Sequence, residues 1–153
     1  MGRNRFIKDK NPKSLMWILL LAFAILYPML TSIYTILPPL IGIVGLFIIY
    51  NMEKNKLYTF LGMLYLLNLD FNASLPLLLS LVIVVLVYIL IYPSAKLIIN
   101  CKKCLALFLI MFIDILYYTS LFMYDFIFSL NTIVADSTLI FYVIIDFMIG
   151  VLL

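Results

Sequence analysis

Residues 75–92 read LPLLLSLVIVVLVYILIY, eighteen positions without a single charged side chain. A stretch of that length and character is a candidate transmembrane helix, because a helix satisfies its own backbone and lipid solvates apolar side chains. Its apolarity is continuous rather than alternating, which speaks against the strands of a membrane barrel. The rest of the chain follows suit. Of its 153 residues, 67% are apolar and 11% charged. A soluble domain of this size has too much surface for its volume to hide so much apolar matter. The chain is therefore expected to be a single all-α, polytopic transmembrane domain covering residues 1–153.

Five more apolar runs are legible. Residues 1–14 carry Arg3, Arg5, Lys8, Lys10 and Lys13, and an apolar run occupies 15–32. Signal peptides begin this way, but Tyr27, Pro28 and Met29 stand where a cleavage site needs small residues. The run is expected to remain as a first span, with Trp17 anchoring it at the inner interface. The second run, 37–50, opens on Pro38 and Pro39, whose missing amides suit a helix start. It is short against the roughly 20 residues of an ordinary span, which suggests a tilted or partly re-entrant segment shielded by neighbours. Gly42 and Gly45 would let another helix come close. The third run is 57–69. The fourth opens at Pro76 and closes on Pro93 and Ser94. The fifth is 104–124. The sixth starts at Asp136-Ser137-Thr138, a capping pattern, and runs to Leu153. No internal repeat is apparent.

Charge supplies the orientation. Six spans with the N-terminus inside make 1–14, 51–56 and 94–103 the inner segments. These hold five, two and three basic residues, which is all ten. The outer loops, near 32–36, 70–75 and 125–136, hold none and carry Asp70, Asp125 and Asp136. That asymmetry is the positive-inside pattern, with both ends on the cytoplasmic side. Bases distributed in this way are topogenic rather than gathered along a nucleic-acid-binding face. The chain has no histidine. The usual general base and the commonest metal ligand are thus absent, and neither an enzyme nor a metal or cofactor site is expected.

Two acids interrupt the apolar runs at mid-membrane depth: Asp114 in the fifth span and Asp146 in the sixth. A carboxylate there costs roughly 3 kcal/mol on insertion scales. No basic residue lies within a span to pair with either, so each is expected to be protonated or hydrogen-bonded to a neighbouring helix or partner. Helical spacing puts Asp114, Tyr118 and Asp125 on one stripe, with Tyr117 beside it. Tyr142 and Gly150 lie four residues either side of Asp146. The tyrosine is placed to bond the carboxyl, and the glycine to permit close helix contact. These side chains, with Asp70, are the candidates for intramembrane polar ties or partner contacts. Cys101-Lys102-Lys103-Cys104 has the C-x-x-C spacing but no thioredoxin-like context, and it supplies only half of a zinc site. Asn72-Ala73-Ser74 matches a glycosylation acceptor but lies close to the membrane.

Phe60-Leu61-Gly62-Met63, Asn68-Leu69-Asp70 and Leu75-Pro76-Leu77 form a glycine-containing helix, an acid, a small-residue turn and a long apolar span. Leu107 to Leu116 then place Asp114 inside an apolar fifth span. In these features, and in its six short spans, the chain resembles the bacterial rod shape-determining protein MreD family. Gly62 is the single glycine in a region where that family usually has more. The resemblance implies a non-enzymatic subunit of the cell-wall elongation machinery in the bacterial inner membrane. Its partners would be MreC-like, RodA-like and penicillin-binding membrane proteins. The family's fold is similar to the substrate-binding subunits of energy-coupling-factor transporters. A solute-binding transport subunit is accordingly the alternative, and it would need a polar cavity lined by Asp114, Tyr118 and Asp146.

Overall fold

The computed structural model describes residues 12–34, 36–72, 76, 78–128 and 137–152. The basic segment before Pro12, Ala73, Ser74 and Asp136 lie outside the described residues. Six helices are described: α1 (Pro12–Ile33), α2 (Ile41–Asn51), α3 (Lys56–Asn72), α4 (Leu79–Ile98), α5 (Lys102–Phe128) and α6 (Ser137–Leu152). No strand occurs among the described residues. Among the described residues, three stretches are long and apolar enough to cross a membrane: Met16–Ile33, Leu79–Ile98 and Lys102–Phe128. Helix α2 and the apolar part of α6, Leu139–Leu152, are shorter.

The helices are unequal in burial. Helix α5 is the central post, with seven of its 27 residues buried, against two, Ala24 and Pro28, in the apolar stretch of α1. Helix α1 packs on α3 and leaves most of its apolar surface outward, among it Ile18, Leu19 and Leu26. The shortest helix is the most enclosed. Helix α2 touches α3, α4, α5 and α6, and six of its 11 residues are buried. Its sequence, IGIVGLFIIYN, is apolar on every side, as a helix surrounded by others must be. Gly62 of α3 makes that approach possible: a Cβ there would lie 2.5 Å from Ile48 of α2.

Two prolines sit inside helices, and each has an answering feature. Pro28 in α1 has no amide to give the carbonyl of Ala24. The Asn68 side chain of α3 donates there instead, to Ala24 O at 3.4 Å and to Ile25 O at 2.8 Å. Pro93 was expected to close the fourth span, but α4 runs through it to Ile98. The helix widens into a π-turn over Val87–Ile91, where the Tyr92 amide donates to Val87 O. The extra residue of such a turn absorbs the clash a proline creates one turn back. Lys96 therefore stands on a helix rather than in a loop.

The described lysine side chains gather at one end. Lys54 and Lys56 flank the α2–α3 turn, while Lys96, Lys102 and Lys103 flank the α4–α5 turn. Four of the five line one cavity there.

Candidate functional site

Eleven residues make a helix about 16 Å long, roughly half the thickness of a bilayer's hydrocarbon core. Helix α2 ends in the lysine-rich turn, so its first turn lies deep in the bundle. The first amides of any helix lack intrahelical partners, and those of a buried helix start need partners within the protein. The chain solves the problem in stages. Pro38 and Pro39 bring no amide into the apolar region at all. They precede the helix rather than open it, and α2 starts at Ile41. Their carbonyls accept hydroxyls from two neighbouring helices, Tyr27 of α1 at 2.9 Å and Tyr65 of α3 at 2.7 Å. Leu40 then turns the chain in the left-handed region, at φ 52°. For a residue with a side chain, that conformation costs roughly 1–2 kcal/mol.

The two acids singled out from sequence meet at this helix start. The Gly42 amide donates to Asp146 Oδ2 of α6 at 3.0 Å. Asp114 of α5 presses on the other side of the same residue. A Cβ at position 42 would stand 2.7 Å from Asp114 Oδ1 and 2.9 Å from its Oδ2. Asp114 and Asp146 are 2% and 3% exposed. The positive end of the α2 dipole is the electrostatic partner that no basic residue provides. One oxygen of each acid, Asp114 Oδ2 and Asp146 Oδ1, has no hydrogen-bond partner among the described residues.

The same construction recurs at the start of α4. Leu78 is left-handed at φ 70°, and Pro76 precedes it as Pro38 precedes Leu40. Two residues after Leu78, Ser80 donates to Asp70 Oδ2 of α3 from its hydroxyl at 2.8 Å and from its amide at 3.3 Å. Asp70 is fully buried. It was expected in an outer loop beside a span opening at Pro76. It belongs instead to α3, and α4 begins at Leu79, after the turn at Leu78. Pro76 O accepts the Leu79 amide at 3.2 Å in that turn.

The remaining candidates are placed differently. Tyr118 is half-buried and lines an apolar groove of about 490 Å³ between α5 and α6, with Ile115, Phe122 and Ile140. Asp125, expected in a loop, is half-buried in the last turns of α5, which extends to Phe128. Tyr142 is half-buried on α6. Asn72 ends α3 and turns its amide onto Asn68. Cys101 caps α5: the Cys104 amide donates to its Sγ at 3.3 Å. With the Cys104 thiol and amide both directed at it, the exposed Cys101 thiol is held below its ordinary value of 9.0. No group of three metal-ligating side chains occurs among the described residues.

Tyr27, Tyr65, Asn68 and Ser80 were not recognised as part of the polar framework from sequence. The signal available was their neighbourhood: a tyrosine, asparagine or serine inside an apolar run, close to a proline-bearing segment whose freed carbonyls or amides need partners.

No protein-family model, curated protein or solved structure matches this chain.

Proposed function

We propose that the chain is a non-catalytic subunit of the bacterial inner membrane that acts by binding other membrane proteins. In this reading it crosses the bilayer six times with both ends inside, the shorter helices being sheltered by the longer ones. The observation that carries it is the use made of the intramembrane acids. Asp70 and Asp146 each accept an amide at the start of a helix, and Asp114 is packed against Gly42. Each acid is thereby engaged in holding the bundle together, which speaks against a role in moving protons or binding a solute. The apolar outer faces, α1 above all, are then the surface on which partners would sit.

The resemblance to the MreD family supplies the process: maintenance of rod shape by the cell-wall elongation machinery, with MreC-like, RodA-like and penicillin-binding partners. Depleting the protein should round the cells, and cells that stay rod-shaped would remove this reading. Orientation has its own test. Single cysteines at Asn72 and Asn131 should be alkylated from outside intact cells; protection of both until lysis would sink the six-span arrangement. The alternative, a solute-binding transport subunit, needs open space beside Asp114 and Asp146. The Asp114 oxygens and Ile110 fill the position where even a Cβ on Gly42 would go, which favours the first reading.

A further inference from the structure

The lysine-rich end of the bundle holds a cavity of about 770 Å³, within the usual range of ligand sites. Its rim and its floor differ in chemistry. Lys54, Lys96, Lys102 and Lys103 bring four ammonium groups to the rim, against one carboxylate, Glu53. That carboxylate already accepts the Tyr88 hydroxyl at 3.1 Å. The floor is apolar, formed by Leu46, Ile49, Leu105 and Ala106, with Gly150 of α6 at its side. A free anion would use the rim and leave the floor bare. A fatty chain alone would use the floor and leave the cations unpaired.

Two details sharpen the demand for an anion. Lys102 and Lys103 occupy the first turn of α5, which contains no acid. The positive end of a helix dipole disfavours cations there, so the two lysines stand against the local field unless something negative lies between them. Lys96 is held 5.7 Å above the Tyr92 ring, which borders the same cavity. Its stem is thereby held along the wall, with its charge at the rim.

We infer that this cavity is a binding site for an anionic phospholipid, its phosphate among Lys54, Lys96, Lys102 and Lys103 and the top of an acyl chain on the Leu46–Leu105–Ala106 floor. Basic pockets between helices at the cytoplasmic surface are suited to such headgroups, each lysine near the phosphate adding about a fivefold preference. Placing the lipid in the cytoplasmic leaflet rests on the orientation proposed above. The binding itself does not, and a measurement in detergent separates the two.

The test uses the purified full chain in neutral detergent. It is titrated with phosphatidylglycerol or phosphatidylcholine of matched acyl chains, and retained lipid is counted by native mass spectrometry. Phosphatidylglycerol should be retained over phosphatidylcholine. Lys96→Gln and Lys103→Gln should each weaken phosphatidylglycerol about fivefold and leave phosphatidylcholine unchanged. Ala106→Phe, which fills the floor and spares every lysine, should reduce retention as well. Lys56→Gln, at the same end but outside the cavity lining, should do nothing. Circular dichroism and gel filtration establish that each variant is folded. Equal retention of the two lipids would overturn the proposal, as would a loss from Lys56→Gln matching that from Lys103→Gln. Displacement of the lipid by an equal concentration of inorganic pyrophosphate would assign the site to a free anion and overturn it too.

Discussion

The starts of α2 and α4 are two versions of one construction. Each follows a proline and a left-handed leucine, and each offers its second-position amide to a carboxylate from another helix. They differ in where the carboxylate comes from. Asp70 reaches Ser80 across a separation of 10 residues, within one helical hairpin. Asp146 reaches Gly42 across 104, and Asp114 arrives from a third helix. The first cap closes as soon as α3 and α4 pair. The second closes only when the bundle is complete. A local cap stabilises a hairpin, whereas a remote cap makes a short helix depend on the whole fold.

Substitution at position 42 should break that comparison most sharply. Gly42→Val places atoms where Asp114 and Ile110 already are. Its expected cost is about 3 kcal/mol, read as a lowered unfolding midpoint in detergent, because overpacking a filled site forces the neighbours to shift. A variant as stable as the parent would mean that α2 is not clamped by α5.

Removing an acceptor comes next. Asp146→Ala and Asp70→Ala should each cost about 2 kcal/mol, the penalty of leaving buried donors unmade. Their consequences should separate. Loss of Asp146 should loosen α6 and speed amide exchange at the start of α2. Loss of Asp70 should leave exchange there unchanged and raise it at Leu79 and Ser80. Similar exchange patterns in the two variants would show that the caps are not independent.

Ser80→Ala keeps the α4 amide bond and deletes the hydroxyl bond, so about 1 kcal/mol is expected by the same measurement. The left-handed leucines offer the finest test. Leu78 is exposed, and Leu78→Gly should stabilise by up to about 1 kcal/mol by relieving the backbone. Leu40 is half-buried, and Leu40→Gly should gain less or lose, since packing goes with the side chain.

Outside the bundle, the Cys101 thiol offers a pH test. Its value is lowered, so its thiolate forms at a lower pH than an ordinary thiol's. In the full chain, iodoacetamide should modify Cys101 before Cys104, with the advantage greatest near neutral pH and shrinking as pH rises toward 9. Equal rates at neutral pH would remove the cap.

The sequence alone pointed to helices long and apolar enough to cross a membrane, and the described residues hold three of them, with no strand. It also picked out Asp114 and Asp146, because an acid in such a run is conspicuous wherever the helix later packs. It flagged the second run as short and sheltered, and α2 is both. Helix limits were less legible: Pro93 reads as a stop, and only the π-turn before it shows how α4 continues. The pairing of polar groups was legible least. That Asp146 serves Gly42, that Asp70 lies buried on Ser80 rather than in a loop, and that Asn68 answers Pro28 depend on contacts between separate helices. Nothing in a single run's composition encodes which neighbour it meets. Apolarity decided that three of the described helices are able to cross a membrane, because it is summed residue by residue. The tertiary structure decided what the polar residues do there, because a hydrogen bond needs two groups brought to one place.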